Sequence, residues 1–306
     1  MAIGENTSIK ELNNLELLAN QVVEGFIIGL HKSPFHGFSV EFAEHRIYNQ
    51  GESTRSLDWK VYARTDKLFT KKYEEETNLR CQLVIDASSS MYYPVSTKPS
   101  IDTKIGFSVL AAASLMNLLK KQRDAFGITL FGDRIQTQTS CRSTVQHYQL
   151  MLSYFDKVLN SNPNQTGSSI TDTLHQVAET LHKRSLVIIF SDMFDSDSPE
   201  ALFSALQHLK HAKHEVILFH VTDKSTELDF EFENRPYLFV DVESGAEIKL
   251  QSGEVKEHYL KQINEQTEAL RQKCLQFKIE LVEADIKKGF MPILQTYLAK
   301  RNRMGI

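Results

Sequence analysis

The sequence predicts an α/β fold in which a mainly parallel sheet is flanked by helices, with an N-terminal α+β extension packed on it. Continuous apolar runs at 81–85 and 185–190 are typical of strands that are buried on both faces, as parallel strands are. Between and after these runs lie amphipathic stretches of helical length. Strands that alternate with such helices indicate βαβ units and therefore a parallel sheet.

The remaining elements follow the same alternation. Further strands are predicted at 125–131, 135–139, 216–221 and 279–283, and a hairpin at 237–242 and 246–250. Helices are predicted at 105–121, 144–159, 170–182, 198–213 and 255–276, with a last helix from Pro292. The helix at 198 has the clearest start, because a serine that can cap it is followed by proline and then by an acid.

A change of character near residue 78 predicts two parts, an N-terminal segment of residues 1–78 and an α/β domain of residues 79–306. Residues 8–30 carry apolar side chains near helical spacing, which predicts a helix. Residues 37–78 contain short alternating apolar stretches between charged turns, which favours short strands.

Composition excludes several classes of protein. A net charge of -4 over 306 residues gives no electrostatic case for nucleic acid or an anionic membrane. The three cysteines are widely spaced and form no CxxC pair, which argues against a disulfide framework or a zinc ribbon. The longest apolar stretch, at 105–119, is too short and too polar to span a bilayer. We therefore expect a soluble cytoplasmic protein without a transmembrane segment.

Oxygen-bearing side chains follow the predicted strands. Asp86-Ala-Ser88-Ser-Ser90 comes after the first buried run, Ser191-Asp192 comes after the second, and 165–169 precedes a helix between them. The carboxyl ends of parallel strands meet at one edge of a sheet, where ligands bind. Two carboxylates and several hydroxyls there suit a hard cation, with Mg²⁺ expected first and Mn²⁺ or Ca²⁺ as alternatives.

This arrangement resembles the metal-ion-dependent adhesion site (MIDAS) of von Willebrand A domains. Asp86, Ser88 and Ser90 match its Asp-x-Ser-x-Ser element, and Asp192 matches the aspartate after a later strand. The resemblance implies a third hydroxyl from the middle loop. Ser168 stands where the family has threonine, and Thr166 is the alternative.

A second resemblance covers nearly the whole chain. The stretches 37–59, from Gly37-Phe-Ser-Val-Glu41 to Asp58-Trp59, and 63–68, Ala63-Arg64-Thr-Asp-Lys-Leu68, are similar to the bacterial DUF58 family. That resemblance implies a von Willebrand A-like domain after the N-terminal segment. It also implies a partner, because such proteins accompany MoxR-type AAA+ ATPases.

Three functions remain open from the sequence. The first is a non-catalytic, metal-dependent module that binds a carboxylate of a protein partner, either the ATPase or a client protein. The second is a metal-dependent hydrolase or phosphatase with Asp86 or Ser88 as nucleophile, although a serine nucleophile needs a nearby base. The third is a structural scaffold whose metal site has decayed. The first is our leading expectation, so we do not expect an enzyme.

Other polar groups have more ordinary interpretations. Five residues of the N-terminal segment suit either a partner surface or, as we favour, internal ion pairs: Arg46, Arg55, Asp58, Trp59 and Arg64. The histidines at 208, 211 and 214 suit either a transition-metal site or, as we favour, a solvated helix end. Asp195 and Asp197 are expected to cap the helix at 199 rather than to enlarge the metal site.

Overall fold

The structure of the protein is a computed structural model. It describes ten parts of the chain: residues 15–31, 44–47, 62–64, 66, 69–72, 79–94, 102–161, 169–193, 199–241 and 245–304.

Helices and strands alternate through most of this range. The helices are α1 Leu15–His31, α2 Lys104–Lys121, α3 Val145–Asn160, α4 Ile170–Thr180, α5 Pro199–His211, α6 Ser252–Gln276 and α7 Met291–Met304. The strands are β1 Glu44–Ile47, β2 Phe69–Lys72, β3 Arg80–Asp86, β4 Ala125–Phe131, β5 Ile135–Gln138, β6 Leu186–Ser191, β7 Glu215–Thr222, β8 Pro236–Val240, β9 Glu247–Gln251 and β10 Glu280–Asp285.

Six of these strands form the central sheet, in the order β10-β7-β6-β3-β4-β5. Every neighbouring pair is parallel except β4 and β5, which are antiparallel. The chain leaves β3 toward β4 and later returns on the other side of β3 to form β6. The sheet order therefore reverses between β3 and β6, so the ends of these two strands lie at a topological switch point.

Helices cover both faces of the sheet, each over its own apolar core. One core contains side chains from α1, α2, α3 and α7. The other contains side chains from α4, α5 and α6. The strands supply both cores because successive side chains alternate between faces: Leu83 and Ile85 belong to the first core, and Val84 to the second. The α/β class and the mainly parallel sheet predicted from the sequence are confirmed.

Helix α1 packs against α2 and shares its core. Leu15, Ala19 and Val23 of α1 are buried in the same cluster as the apolar residues of α2. Helix α2 is buried along its length, since every residue from Lys104 to Leu119 is buried. The predicted division at residue 78 stays a prediction, but the first helix of the N-terminal part contributes to the core of the α/β domain.

The connection from β7 to α6 carries the β8–β9 hairpin outside the central sheet. Aromatic rings of this region pack together: Phe230 lies 4.8 Å from Phe232 and 4.8 Å from Tyr259 of α6, between ring centroids. Phe230 also stacks on Phe239 of β8, with 6.1 Å between ring centroids, so the hairpin is attached to α6 through these rings. In the part of the chain that the structure describes, no helix combines the length and the apolar character needed to cross a membrane.

Candidate functional site

The candidate site lies where two neighbouring parallel strands end. β3 ends at Asp86 and β6 ends at Ser191, on either side of the switch point. The Ser191 hydroxyl donates a hydrogen bond of 2.8 Å to Asp86 Oδ2, which joins the two strand ends directly. The loops after β3 and β6, which were expected to meet at one edge of the sheet, therefore do meet, at the position where open α/β sheets bind ligands.

The loop after β3 folds back on the Asp86 carboxylate. Asp86 Oδ1 accepts a hydrogen bond of 2.9 Å from the Ser88 N–H, a local turn that aspartate favours. A 3₁₀ turn over Ser89–Tyr92 follows, and it brings the Ser90 hydroxyl to 3.1 Å from the Ser88 hydroxyl. Asp86 and Ser88 are both fully buried. The turn therefore gathers three predicted ligands, Asp86, Ser88 and Ser90, in one loop.

Asp192, the fourth predicted ligand, is held by a buried lysine. Lys104, at the start of α2, donates a 2.8 Å hydrogen bond to Asp192 Oδ2, and both side chains are almost fully buried. The same ammonium lies 2.5 Å from Glu227 Oε1. His220 of β7 makes a 3.0 Å contact from Nε2 to the main-chain oxygen of Asp192. Asp192 is thus fixed from both its side chain and its backbone.

Glu227 belongs to a π-helical turn, Lys224–Leu228, that follows β7. Its other carboxylate oxygen, Oε2, accepts a 2.7 Å hydrogen bond from the Asp223 N–H. Its main-chain oxygen accepts a 2.7 Å hydrogen bond from the Tyr259 hydroxyl of α6. The turn therefore connects the ammonium of Lys104 to the region that carries the hairpin.

The electrostatics reflect this crowding of acids. Burial, and after it the negative charge of Asp192, raises the pKa of Asp86 to about 7, while hydrogen bonds from Ser88 and Ser191 oppose the shift. Burial would lower the pKa of Lys104, but the carboxylates of Asp192 and Glu227 hold it above its usual value. Burial lowers the pKa of His220. The carboxyl edge of the sheet thus favours protonation of Asp86 and keeps the Lys104 ammonium charged.

The donor set fits a hard cation. It consists of carboxylate and hydroxyl oxygens, which are the ligands that Mg²⁺ and Ca²⁺ prefer, whereas softer metals prefer nitrogen or sulfur. Among the described residues, no group of three or more His, Cys, Asp or Glu side chains is placed to hold a metal ion. A cation at this edge would therefore depend on the serine hydroxyls as well as on Asp86 and Asp192.

Several predicted residues lie outside the described part of the chain. These include both candidates for the middle-loop ligand, Ser168 and Thr166. Asp195, Asp197, Arg55, Asp58 and Trp59 are outside it as well. Arg46 is in β1 and Arg64 is exposed in a short helical stretch, so neither a partner surface nor an ion-pair lattice is tested for these residues.

The histidines at 208, 211 and 214 do not form one group. His208 pairs instead with His175 of the neighbouring helix α4, with 2.9 Å between their Nδ1 atoms. His214 is buried after the end of α5. The prediction of a solvated helix end is therefore wrong for His214, because the chain turns back into the sheet one residue later, at Glu215.

Three residues of the site were missed by the sequence analysis. Ser191 was read only as a neighbour of Asp192, although its position at a strand end was a usable signal. Lys104 lies one residue before the helix predicted at 105–121 and was not singled out, and its place next to an almost wholly apolar helix was the only hint. Glu227 lies in an irregular turn with no pattern in the sequence.

Comparison with known proteins identifies the family of the chain. The fold and the site define a three-layer α/β protein with a cluster of carboxylate and hydroxyl oxygens at its switch point. Residues 44–269 match the family described as "Protein of unknown function DUF58". The chain belongs to the DUF58 family.

Two uncharacterized mycobacterial proteins are similar to this chain in sequence. An uncharacterized protein of Mycobacterium tuberculosis is 25% identical over 212 residues, which cover 69% of this chain and 64% of the relative. An uncharacterized protein of Mycobacterium bovis matches with the same values. The match thus covers less than two thirds of the length of these relatives.

Solved structures with a similar fold include BatB from Bacteroides thetaiotaomicron. It is 13% identical, with a TM-score of 0.42, and the match covers 74% of this chain and 99% of BatB. A von Willebrand factor type A protein from Catenulispora acidiphila is 16% identical, with a TM-score of 0.33 and coverage of 51% of this chain and 34% of that one. These likenesses concern the fold.

Proposed function

We propose that this protein is a non-catalytic module that binds a protein partner through a divalent cation, Mg²⁺ in the first place. One observation carries the proposal: the hydroxyls of Ser88 and Ser90 lie 3.1 Å apart in the loop that folds around the buried carboxylate of Asp86, at the switch point of the sheet. Two hydroxyls and a carboxylate in one tight loop can face a single small cation.

The roles of the residues follow from their contacts. Ser88 and Ser90 supply neutral oxygens and Asp86 supplies charge. Asp192 supplies a second carboxylate, which accepts a hydrogen bond from Lys104. Ser168 or Thr166 would complete the set from the middle loop. A bound cation supplies an electrophilic centre for a carboxylate of the partner. Few negative ligands leave such a centre attractive to a further acid, which is what a binding module requires.

The partner we propose is a MoxR-type AAA+ ATPase or a client protein of it, in the cytoplasm. Membership in the DUF58 family supports this partnership, and the hairpin β8–β9 adds surface outside the central sheet. The contacts at the site favour binding over hydrolysis. The Ser88 hydroxyl faces another hydroxyl, and the ring of His220 is engaged with the main-chain oxygen of Asp192 rather than with a serine.

The test is capture of the organism's MoxR-type ATPase by the immobilised protein, with MgCl₂ or with EDTA. We expect capture in Mg²⁺ that EDTA, Asp86→Asn and Ser88→Ala each abolish. Asp156→Asn serves as the matched control, because Asp156 is an exposed aspartate on α3 that bonds only its neighbour Asn160 among the contacts described. Capture that survives both EDTA and Asp86→Asn would contradict the metal-dependent mode.

A parallel assay addresses catalysis. A panel of phosphate esters and carboxylic esters is incubated with the wild-type protein in Mg²⁺ and Mn²⁺, and we expect no turnover above the rate without protein. Clear turnover that disappears in Asp86→Asn would replace the binding proposal with a hydrolase.

A further inference from the structure

Lys104 occupies a position that is unfavourable for a lysine. It begins α2, where the helix dipole disfavours positive charge, and its side chain is only 1% exposed. The first turn is already capped, since the Thr103 hydroxyl accepts a 3.1 Å hydrogen bond from the Gly106 N–H. Helix formation therefore does not call for a lysine here, and its burial must be offset by its partners.

Those partners are two carboxylates in the segments that follow two different strands. Asp192 follows β6 and Glu227 follows β7, and the ammonium bonds both, at 2.8 Å and 2.5 Å. Asp192 is also a residue that the proposed function assigns to the cation site. The hydrogen bond from Lys104 takes up one acceptor position of Asp192 Oδ2, so a divalent cation at this oxygen competes with the ammonium. The ammonium itself repels a second positive charge at short range.

We propose that Lys104 is a built-in counter-ion of Asp192 that keeps this carboxylate away from direct metal ligation and thereby sets the affinity of the cation site. The inference rests on the proposed function and assigns its regulation. Glu227 counteracts Lys104, because it accepts part of the hydrogen bonding of the ammonium and draws it away from Asp192.

The placement of Glu227 gives this arrangement a route of control. Its carboxylate is oriented by the Asp223 N–H, and its backbone is held by the Tyr259 hydroxyl of α6. Tyr259 in turn packs on Phe230, next to the hairpin. A change at the hairpin that moves Glu227 would shift the ammonium further onto Asp192 or further away from it.

The test is calorimetric titration of the full chain with MgCl₂ and with MnCl₂. Lys104→Met removes the ammonium, so we expect Mg²⁺ to bind roughly tenfold tighter or more. Glu227→Gln removes a negative charge and leaves the ammonium to Asp192, so we expect binding to weaken by roughly three- to tenfold. The two variants must therefore shift the affinity in opposite directions.

Lys300 and Glu215 provide the matched controls. Their ammonium and carboxylate lie 2.8 Å apart, and the lysine side chain is 11% exposed. The pair joins α7 to the amino end of β7, which is the end of the strand away from the candidate site. Lys300→Met and Glu215→Gln should each leave the affinity for Mg²⁺ within about twofold of the wild type. Circular dichroism establishes that each variant is folded before titration.

The outcomes separate the two proposals. If the wild type binds Mg²⁺ and a folded Lys104→Met protein binds it equally or more weakly, the role of Lys104 is overturned and the proposed function stands. If Lys104→Met does not fold, an unchanged or tighter affinity in Glu227→Gln overturns it instead. Mg²⁺ binding by Lys104→Met alone supports the role of Lys104 and argues against a metal-loaded wild type. If neither the wild type nor any variant binds Mg²⁺, both proposals are overturned.

Discussion

Each end of the central sheet contains a buried carboxylate that pairs with a cationic side chain, but the pairing differs between the two ends. At the amino end, Asp124 precedes β4, accepts a 3.1 Å hydrogen bond from the Leu79 N–H and pairs with the guanidinium of Arg301 on α7. At the carboxyl end, the ammonium of Lys104 is divided between Asp192 and Glu227. Asp86, beside them, accepts from a main-chain N–H and a hydroxyl.

The difference indicates what each end is for. A guanidinium matched to one carboxylate ties the last helix to the sheet, and Tyr297 and Gln122 extend that link with a 3.0 Å hydrogen bond. At the carboxyl end, burial and, after it, the negative charge of Asp192 raise the pKa of Asp86. The ion pair at the amino end thus stabilises the packing of α7 on the sheet, whereas the acidic groups at the carboxyl end are suited to binding additional positive charge.

The largest effect is expected at the amino end. Arg301→Met leaves the buried Asp124 carboxylate without this guanidinium, and breaking a buried ion pair from one side typically costs about 3–5 kcal/mol. Urea denaturation should show this loss equally with MgCl₂ and with EDTA. Arg303→Met is the control, since Arg303 pairs with Glu280 on the surface and should change stability by less than about 1 kcal/mol. A loss that depended on Mg²⁺ would contradict the separation of the two ends.

The second largest effect is stabilisation by Mg²⁺, which we expect from the carboxyl end of the sheet alone. Mg²⁺ at about one hundred times its dissociation constant should raise the free energy of unfolding by about 2.7 kcal/mol, because only the folded chain presents the site. Chelation with EDTA should remove this increment in the wild type. Asp86→Asn should not show the increment, while Arg301→Met should keep it. An increment of equal size in Asp86→Asn would place the cation elsewhere.

A smaller effect is expected for the contact that joins β3 and β6. The Ser191 hydroxyl donates to Asp86 Oδ2 and accepts from the Met193 N–H, and Ser191 is fully buried. Ser191→Ala should lower the free energy of unfolding by about 1–2 kcal/mol, as expected for a buried carboxylate that loses a donor. Ser153→Ala, at an exposed serine of α3, is the control and should be nearly neutral. Equal losses of stability in the two variants would mean that the contact between the ends of β3 and β6 contributes no more than an exposed serine.

The smallest effect concerns acid sensitivity at the amino end. His147 is buried, its Nε2 lies 2.9 Å from the Phe126 carbonyl oxygen, and burial lowers its pKa. An unfolded histidine takes up a proton near pH 6.5. The stability that the neutral ring contributes is therefore complete above that pH and is lost as the pH falls toward the lower pKa of the folded state.

Denaturation at about pH 7.5 and about pH 5.5 measures this loss. His147→Gln should reduce the difference between the two conditions, and His258→Gln, at an exposed position of α6, should leave it unchanged. A pH difference identical in the wild type and both variants would show that His147 contributes nothing to it.

Much of the fold was predictable because its signals are local. β3 and β6 are buried on both faces and therefore read as unbroken apolar runs. Asp86 and Asp192 directly follow those runs, so the geometry of a parallel sheet brings them to one edge without further information. The helix predicted at 8–30 is described over Leu15–His31, and residues 8–14 lie outside the described part of the chain.

The counter-ion at the site could not be predicted in the same way. Lys104, Asp192 and Glu227 are far apart in sequence and meet only because α2, β6 and β7 all open onto one edge. The carboxylate of Glu227 reaches the ammonium from a π-helical turn, and no periodic pattern of apolar residues predicts such a turn. A lysine in the first turn of a helix ordinarily faces water, so its burial follows from tertiary packing alone.

The burial of α2 on all sides has a practical consequence for dividing the chain. Its apolar surface toward α1 is covered by Leu15, Ala19 and Val23. A fragment that starts at residue 79 would retain the whole central sheet yet present this surface to water, as a large contiguous apolar patch of the kind that promotes self-association. The first helix is therefore an essential part of any fragment meant to stay monomeric, even though it precedes the sheet by nearly fifty residues.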